Sequence, residues 1–180
     1  MAKKFKQLLQ EKGNRSAITD ELRGELLFKV GPGLYSDRKQ ISTLEYLTSR
    51  YPSAIFCSYS AFYYYGMTDV IPQYHYLAIE RKSTRIKEDN VSLSFYNEKN
   101  FKTGLTQMTY NKINIAIYDR ERLLIDLINF RNQYEPDYYK TIIDYYRKHI
   151  NALDTVKLEQ YAEKFKNSDH LLKVIYAEVY

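Results

Sequence analysis

Strand-like runs crowd into one stretch of this chain, and beyond Asp119 only helical periodicity remains. Residues 74–80, 91–96, 105–110 and 113–118 are rich in Tyr, Val, Ile and Leu, with the last two runs separated only by Asn111-Lys112, the length of a tight hairpin turn. They imply a small antiparallel sheet. Asp119 then caps a strongly apolar helix to Phe130, and helices near 137–149, 155–166 and 169–179 form an α-helical bundle. Strands followed by a run of helices make the class α+β.

The N-terminal 37 residues have a different pattern. Residues 3–12 form an amphipathic helix with Phe5, Leu8 and Leu9 on one side, closed by Gly13-Asn14. Ser16 is placed to cap a second helix that runs through Ile18 and Leu22 to Gly24. Residues 25–30 and 34–36 flank Gly31-Pro-Gly33 as a hairpin. Two helices and a hairpin suggest an abbreviated winged helix-turn-helix over residues 1–37. A larger domain, 38–180, opens with a helix from Lys39 carrying Ile41, Leu44 and Leu47, then a short apolar strand 54–57 and a helix that Ser58 caps and Gly66 ends.

At 180 residues, with 44% hydrophobic and 27% charged, the chain can bury a core and offset its ordering entropy. No run approaches the roughly 18 apolar residues of a spanning helix, and Met1-Ala-Lys-Lys-Phe-Lys lacks a signal-peptide core, so a cytoplasmic protein without a membrane partner is expected. One cysteine, Cys57, and three scattered histidines exclude a disulfide or zinc framework, and no metal or cofactor is expected. The net charge is +5, but seven of the basic residues stand against only four acids in residues 1–35. Twenty tyrosines and no tryptophan suit half-buried helix faces and wet interfaces.

Candidate DNA contacts are Lys3, Lys4, Lys6, Arg15 and Arg23 on the helices and Lys29 on the wing, placed to neutralise phosphates while a helix enters the major groove. A second cluster, Arg81, Lys82, Arg85 and Lys87, falls in a loop after a strand and suits nucleic acid or an acidic partner. In the 119–130 helix, Arg122 and Asp126 are four apart and can pair, with Leu123, Leu124, Leu127 and Ile128 as the buried stripe. One enzyme-like pattern exists: Asp69, a strand, then Glu80-Arg-Lys82, as in metal-dependent nucleases, where two carboxylates hold Mg²⁺. Charged residues at strand ends are common, no Gly-rich phosphate loop is present, and Cys57 sits in an apolar strand, so no catalytic residue and no enzyme is expected.

Four segments together resemble the AbiEi antitoxins of type IV toxin-antitoxin systems. Gly31-Pro-Gly-Leu-Tyr35 is similar to the family's wing end. The stretch from Ala54 to Met67 is similar to its strand-to-helix passage, and Tyr161-Ala-Glu-Lys-Phe165 to its C-terminal helix motif. Tyr118-Asp-Arg-Glu-Arg-Leu-Leu-Ile-Asp-Leu127 resembles its Tyr-x-x-Glu-Arg-Thr-Leu-x-Asp-Leu motif, with Leu124 in place of Thr; this makes Tyr118, Glu121, Arg122 and Asp126 structural motif residues. The resemblance spans roughly residues 25–180. It implies an abortive-infection, phage-defence antitoxin whose winged helix binds operator DNA as a transcriptional repressor, and whose larger domain counters an AbiEii-like nucleotidyltransferase toxin. A stand-alone DNA-binding regulator and a metal-dependent nuclease are the alternatives.

Overall fold

The computed structural model describes residues 1–180, and the fold is α+β. Two compact units make up the chain: residues 1–53 with 109–114, and residues 54–108 with 115–180. The expected boundary after residue 37 falls inside the first of them.

In the first unit the order is β1 (Lys3–Lys4), α1 (Phe5–Lys12), α2 (Arg15–Arg23), β2 (Phe28–Gly31), β3 (Leu34–Ser36) and α3 (Thr43–Arg50). The strands form an antiparallel sheet in the order β1-β3-β2. The helix expected from residue 3 begins only at Phe5, because Lys3 and Lys4 pair with Tyr35 and Leu34 across the sheet. Lys3 and Lys4 are therefore strand residues, which corrects their placement on a helix. Gly13, at φ +79, ends α1 with its N–H on the Leu9 carbonyl, and Asn14 caps α2 by accepting from Ala17 N at 2.8 Å. Ser16 lies inside α2 and does not cap it. Leu8, Ile18 and Leu27 form the buried centre, with Phe5, Leu9, Leu22 and Tyr35 packed around them. Ser42 caps α3, and buried Glu45 accepts Ala2 N–H at 2.9 Å and holds Arg38 through both carboxylate oxygens.

A five-stranded sheet consists of β4 (Ile55–Phe56), β5 (His75–Glu80), β6 (Val91–Tyr96), β7 (Leu105–Tyr110) and β8 (Ile113–Tyr118), in the order β6-β5-β4-β8-β7, and its residues belong to the second unit except for 109–114 around the β7–β8 turn. This sheet is mixed, which corrects the expected antiparallel one: β4 runs parallel to β8 and β5 parallel to β6, while β4 and β5 are antiparallel. Helix α4 (Ser58–Tyr64) connects the antiparallel β4 and β5, and the loop 81–90 makes the crossover between the consecutive parallel strands β5 and β6. A one-turn helix, α5 (Glu98–Phe101), follows β6. At Asn111 and Lys112 both φ angles are positive, +48 and +65, the geometry of a two-residue I′ hairpin. Ser58 starts α4 from φ +50 and bonds the Tyr134 hydroxyl at 3.0 Å, while Cys57 occupies the cap position expected for Ser58.

Helix α6 (Arg120–Asn129) is the axis of this unit. Every residue from Glu121 to Ile128 is buried, since α6 packs against α4, α8 (Thr155–Ala162) and α9 (Ser168–Val179). Helix α7 (Pro136–Lys148) packs on α9. No helix is long and apolar enough to cross a membrane.

Candidate functional site

The Tyr118–Asp126 motif folds around one guanidinium. Arg122 has no exposed surface; its Nε donates to Asp126 Oδ2 at 3.0 Å, and Nη1 donates to the carbonyls of Asn100 and Thr103. The rings of Tyr118, Tyr96 and Phe165 lie 4.3, 4.7 and 5.3 Å from its carbon. Tyr96 adds a hydrogen bond to Asp126 Oδ2, and Tyr118 donates to the Phe101 carbonyl. Burial pushes the Asp126 carboxyl up, against the pull of Arg122 and Tyr96. Asp119 caps the helix, with Oδ1 accepting from Arg122 N and Oδ2 from the Tyr161 hydroxyl, and Lys157 Nζ lies 3.0 Å away. Buried Glu121 accepts Asp154 N–H at the start of α8. Each motif side chain thus ties α6 to a neighbouring segment. Burial, then Asp126, pushes the nearby Cys57 thiol up to about 12, which leaves it unreactive near neutrality.

The DNA candidates separate into two groups. Lys3 pairs with Glu11 at 2.6 Å, in a cleft of about 430 Å³ also lined by Glu21 and Asp37. Lys4 is half-buried, and its backbone N–H donates to Gln7 Oε1. Lys6, Arg15, Arg23 and Lys29 are exposed. Arg15, Thr19 and Arg23, spaced by four, share the outer face of α2, while Ile18 is buried.

Arg81, Lys82, Arg85 and Lys87 are exposed on the loop between β5 and β6. Ile86 in the same loop is buried, and Arg85 lies 5.0 Å over the Phe95 ring. Asp69 sits in the exposed segment before β5, and Glu80 ends that strand, with roughly 17 Å of strand between its two ends. No group of three or more His, Cys, Asp or Glu residues could hold a metal ion.

The structure also gathers tyrosines from segments far apart in the chain. Tyr59 of α4 is packed by Tyr138 of α7 at 4.5 Å, Tyr76 of β5 at 4.9 Å and Tyr134 at 5.1 Å, all half-buried. Tyr59 and Tyr138 lie in tyrosine-rich helices legible in the sequence, whereas Tyr76 on β5 and Tyr134 after α6 join them only through the fold.

No family model and no curated protein matches the chain. Among solved structures it is similar to the crystal structure of the RV2827C protein from Mycobacterium tuberculosis. The TM-score is 0.56 at 15% identity, over 96% of this chain and 71% of that one. The two share a fold.

Proposed function

We propose that this protein is the antitoxin of a type IV toxin-antitoxin system, countering a nucleotidyltransferase toxin and repressing its own operon through a winged helix. The observation that carries the DNA-binding half is the order strand, helix, tight turn, helix, strand, turn, strand within residues 3–36, with the first strand beside the third. In that arrangement α2 is the reading helix, turned outward by burial of Ile18, and Gly31-Pro-Gly33 is the tip of the wing. The antitoxin half rests on the motifs shared with the AbiEi family. Their side chains hold α6 in place, so they serve the fold, and contact with partners is left to the surface: the Tyr59, Tyr76, Tyr134 and Tyr138 cluster and the 81–87 loop.

The test of DNA reading is titration of the full chain against its own upstream DNA at several salt concentrations. Replacing Arg15, Arg23 and Lys29 by Ala should weaken binding and flatten the slope of log K against log salt by about 2.7, one increment per lost phosphate contact. An unchanged slope would move the DNA contact to another surface. Co-expression with a nucleotidyltransferase encoded beside it separates an antitoxin from a stand-alone regulator, since only the antitoxin restores growth. The nuclease alternative predicts Mg²⁺-dependent cleavage that Lys82→Ala abolishes; the binding reading predicts none.

A further inference from the structure

Strand β6 is an outer strand of the five-stranded sheet, and its sequence, Val-Ser-Leu-Ser-Phe-Tyr, contains no charge and no proline. Its register with β5 runs unbroken from His75↔Val91 to Glu80↔Tyr96, without a bulge. Outer strands are ordinarily protected from pairing with another chain by charges, proline, bulges or shortness, and β6 has none of these over about 17 Å. At the opposite edge, β7 runs into the I′ hairpin, and a two-stranded ribbon twists more strongly than a sheet interior.

The hydrogen-bond phase shows what this edge offers. His75 N–H donates to the Asn90 carbonyl and Arg81 N–H to the Tyr96 carbonyl, both at 2.8 Å. In a parallel ladder alternate residues bond to the same neighbour, so Asn90, Ser92, Ser94 and Tyr96 turn their backbone groups toward β5. Val91, Leu93 and Phe95 turn theirs outward. Val91 N–H is taken by the Glu88 carbonyl, which leaves the N–H and C=O of Leu93 and Phe95 and the C=O of Val91 facing away from the sheet.

We propose that β6 pairs antiparallel with β6 of a second copy of this chain, joining two five-stranded sheets across a two-fold axis at Leu93. This inference does not depend on the antitoxin reading. Charge selects both the occupant and the direction. Asp89, with Glu88 and exposed Lys87 before it, makes the start of β6 net acidic, whereas exposed Arg81 and Lys82 after Glu80 make its far end net basic, so opposite net charges stand at the two ends of one strand pair. Antiparallel self-pairing sets Val91 opposite Phe95 and brings Asp89 of each copy to the Arg81-Lys82 end of the other. Parallel self-pairing would set like ends together. The rotation also makes the contact closed, so it ends at two copies.

The experiment is analytical ultracentrifugation of the full chain up to about 200 µM, at about 50 mM and about 500 mM salt. A dimer that weakens with salt is expected. Leu93→Pro removes one outward N–H per copy without touching the β5 ladder and should raise the dimer Kd about tenfold. Asp89→Lys should weaken the dimer through repulsion, and adding Arg81→Glu with Lys82→Glu to that variant should restore it. Circular dichroism establishes that each variant is folded. Hydrogen exchange supplies a direct reading: the Leu93 and Phe95 amides should slow as concentration rises. A monomer under all conditions would overturn the proposal, as would a dimer indifferent to Leu93→Pro and to the charge exchange.

Discussion

Arg122 is buried with Asp126, three aromatic rings and two carbonyls, so removing either charged partner strands the other in a medium that cannot solvate it. Arg122→Met should cost about 3–5 kcal/mol in urea unfolding, and Arg122→Met with Asp126→Leu should cost less than Arg122→Met alone. Gly104 lies against the same side chain: at φ +74, a Cβ there would fall 2.4 Å from Arg122 Cβ. His75 is a residue of another kind. Burial holds its imidazole below the ordinary 6.5, so between that lowered value and 6.5 the unfolded chain binds a proton the folded chain does not. The stability this gives is present above 6.5 and is lost as pH falls through the lowered value. His75→Phe should remove that part of the acid-side loss, read as a smaller shift in urea midpoint between about pH 7 and about pH 5.5.

Among the elements, the β7–β8 hairpin and α6 show two ways a local sequence meets its surroundings. Asn111 and Lys112 adopt left-handed angles that glycine adopts without steric cost. Lys112→Gly should therefore raise stability by up to about 1 kcal/mol in a denaturant melt, and Lys112→Val should lower it. Helix α6 has the opposite character: its cap is local, through Asp119 and Arg122 N–H, but its burial on all sides comes from α4, α8 and α9. Its charged residues therefore satisfy neighbouring segments, as Glu121 does for Asp154 N–H.

For the whole molecule, the first unit runs on to residue 53, so a cut at the expected boundary passes through it. A fragment from Lys39 keeps α3 but loses β1, against which α3 packs, and so exposes Leu44 and Leu47. Such a fragment should aggregate more readily in size-exclusion chromatography than the full chain. Under the antitoxin proposal, growth rescue by the full chain should survive Ala at Arg15, Arg23 and Lys29, because promoter control and neutralisation use different residues. If neutralisation is by direct contact, Tyr59→Ala with Tyr76→Ala should reduce rescue; if it opposes the toxin on nucleic acid, Ala at Arg81, Lys82, Arg85 and Lys87 should do so. Loss of rescue in the Arg15, Arg23, Lys29 variant alone would contradict the division of labour.

Much of this protein is legible in its sequence through local chemistry. Gly24, Gly66 and Asp119 mark helix ends, Asn111-Lys112 marks a two-residue hairpin, and the Arg122–Asp126 spacing marks an ion pair, because each depends on residues a few positions apart. Strand direction, the start of α1 and the depth of Arg122 depend on partners distant in the chain. Lys3 and Lys4 are strand residues because Tyr35 and Leu34 lie beside them. The sheet is mixed because the 81–90 loop carries the chain back to the same end, which no local pattern announces. The tyrosine cluster likewise unites residues 59, 76, 134 and 138. Such pairings are set by how apolar faces are jointly buried, and that is decided only when the tertiary structure closes.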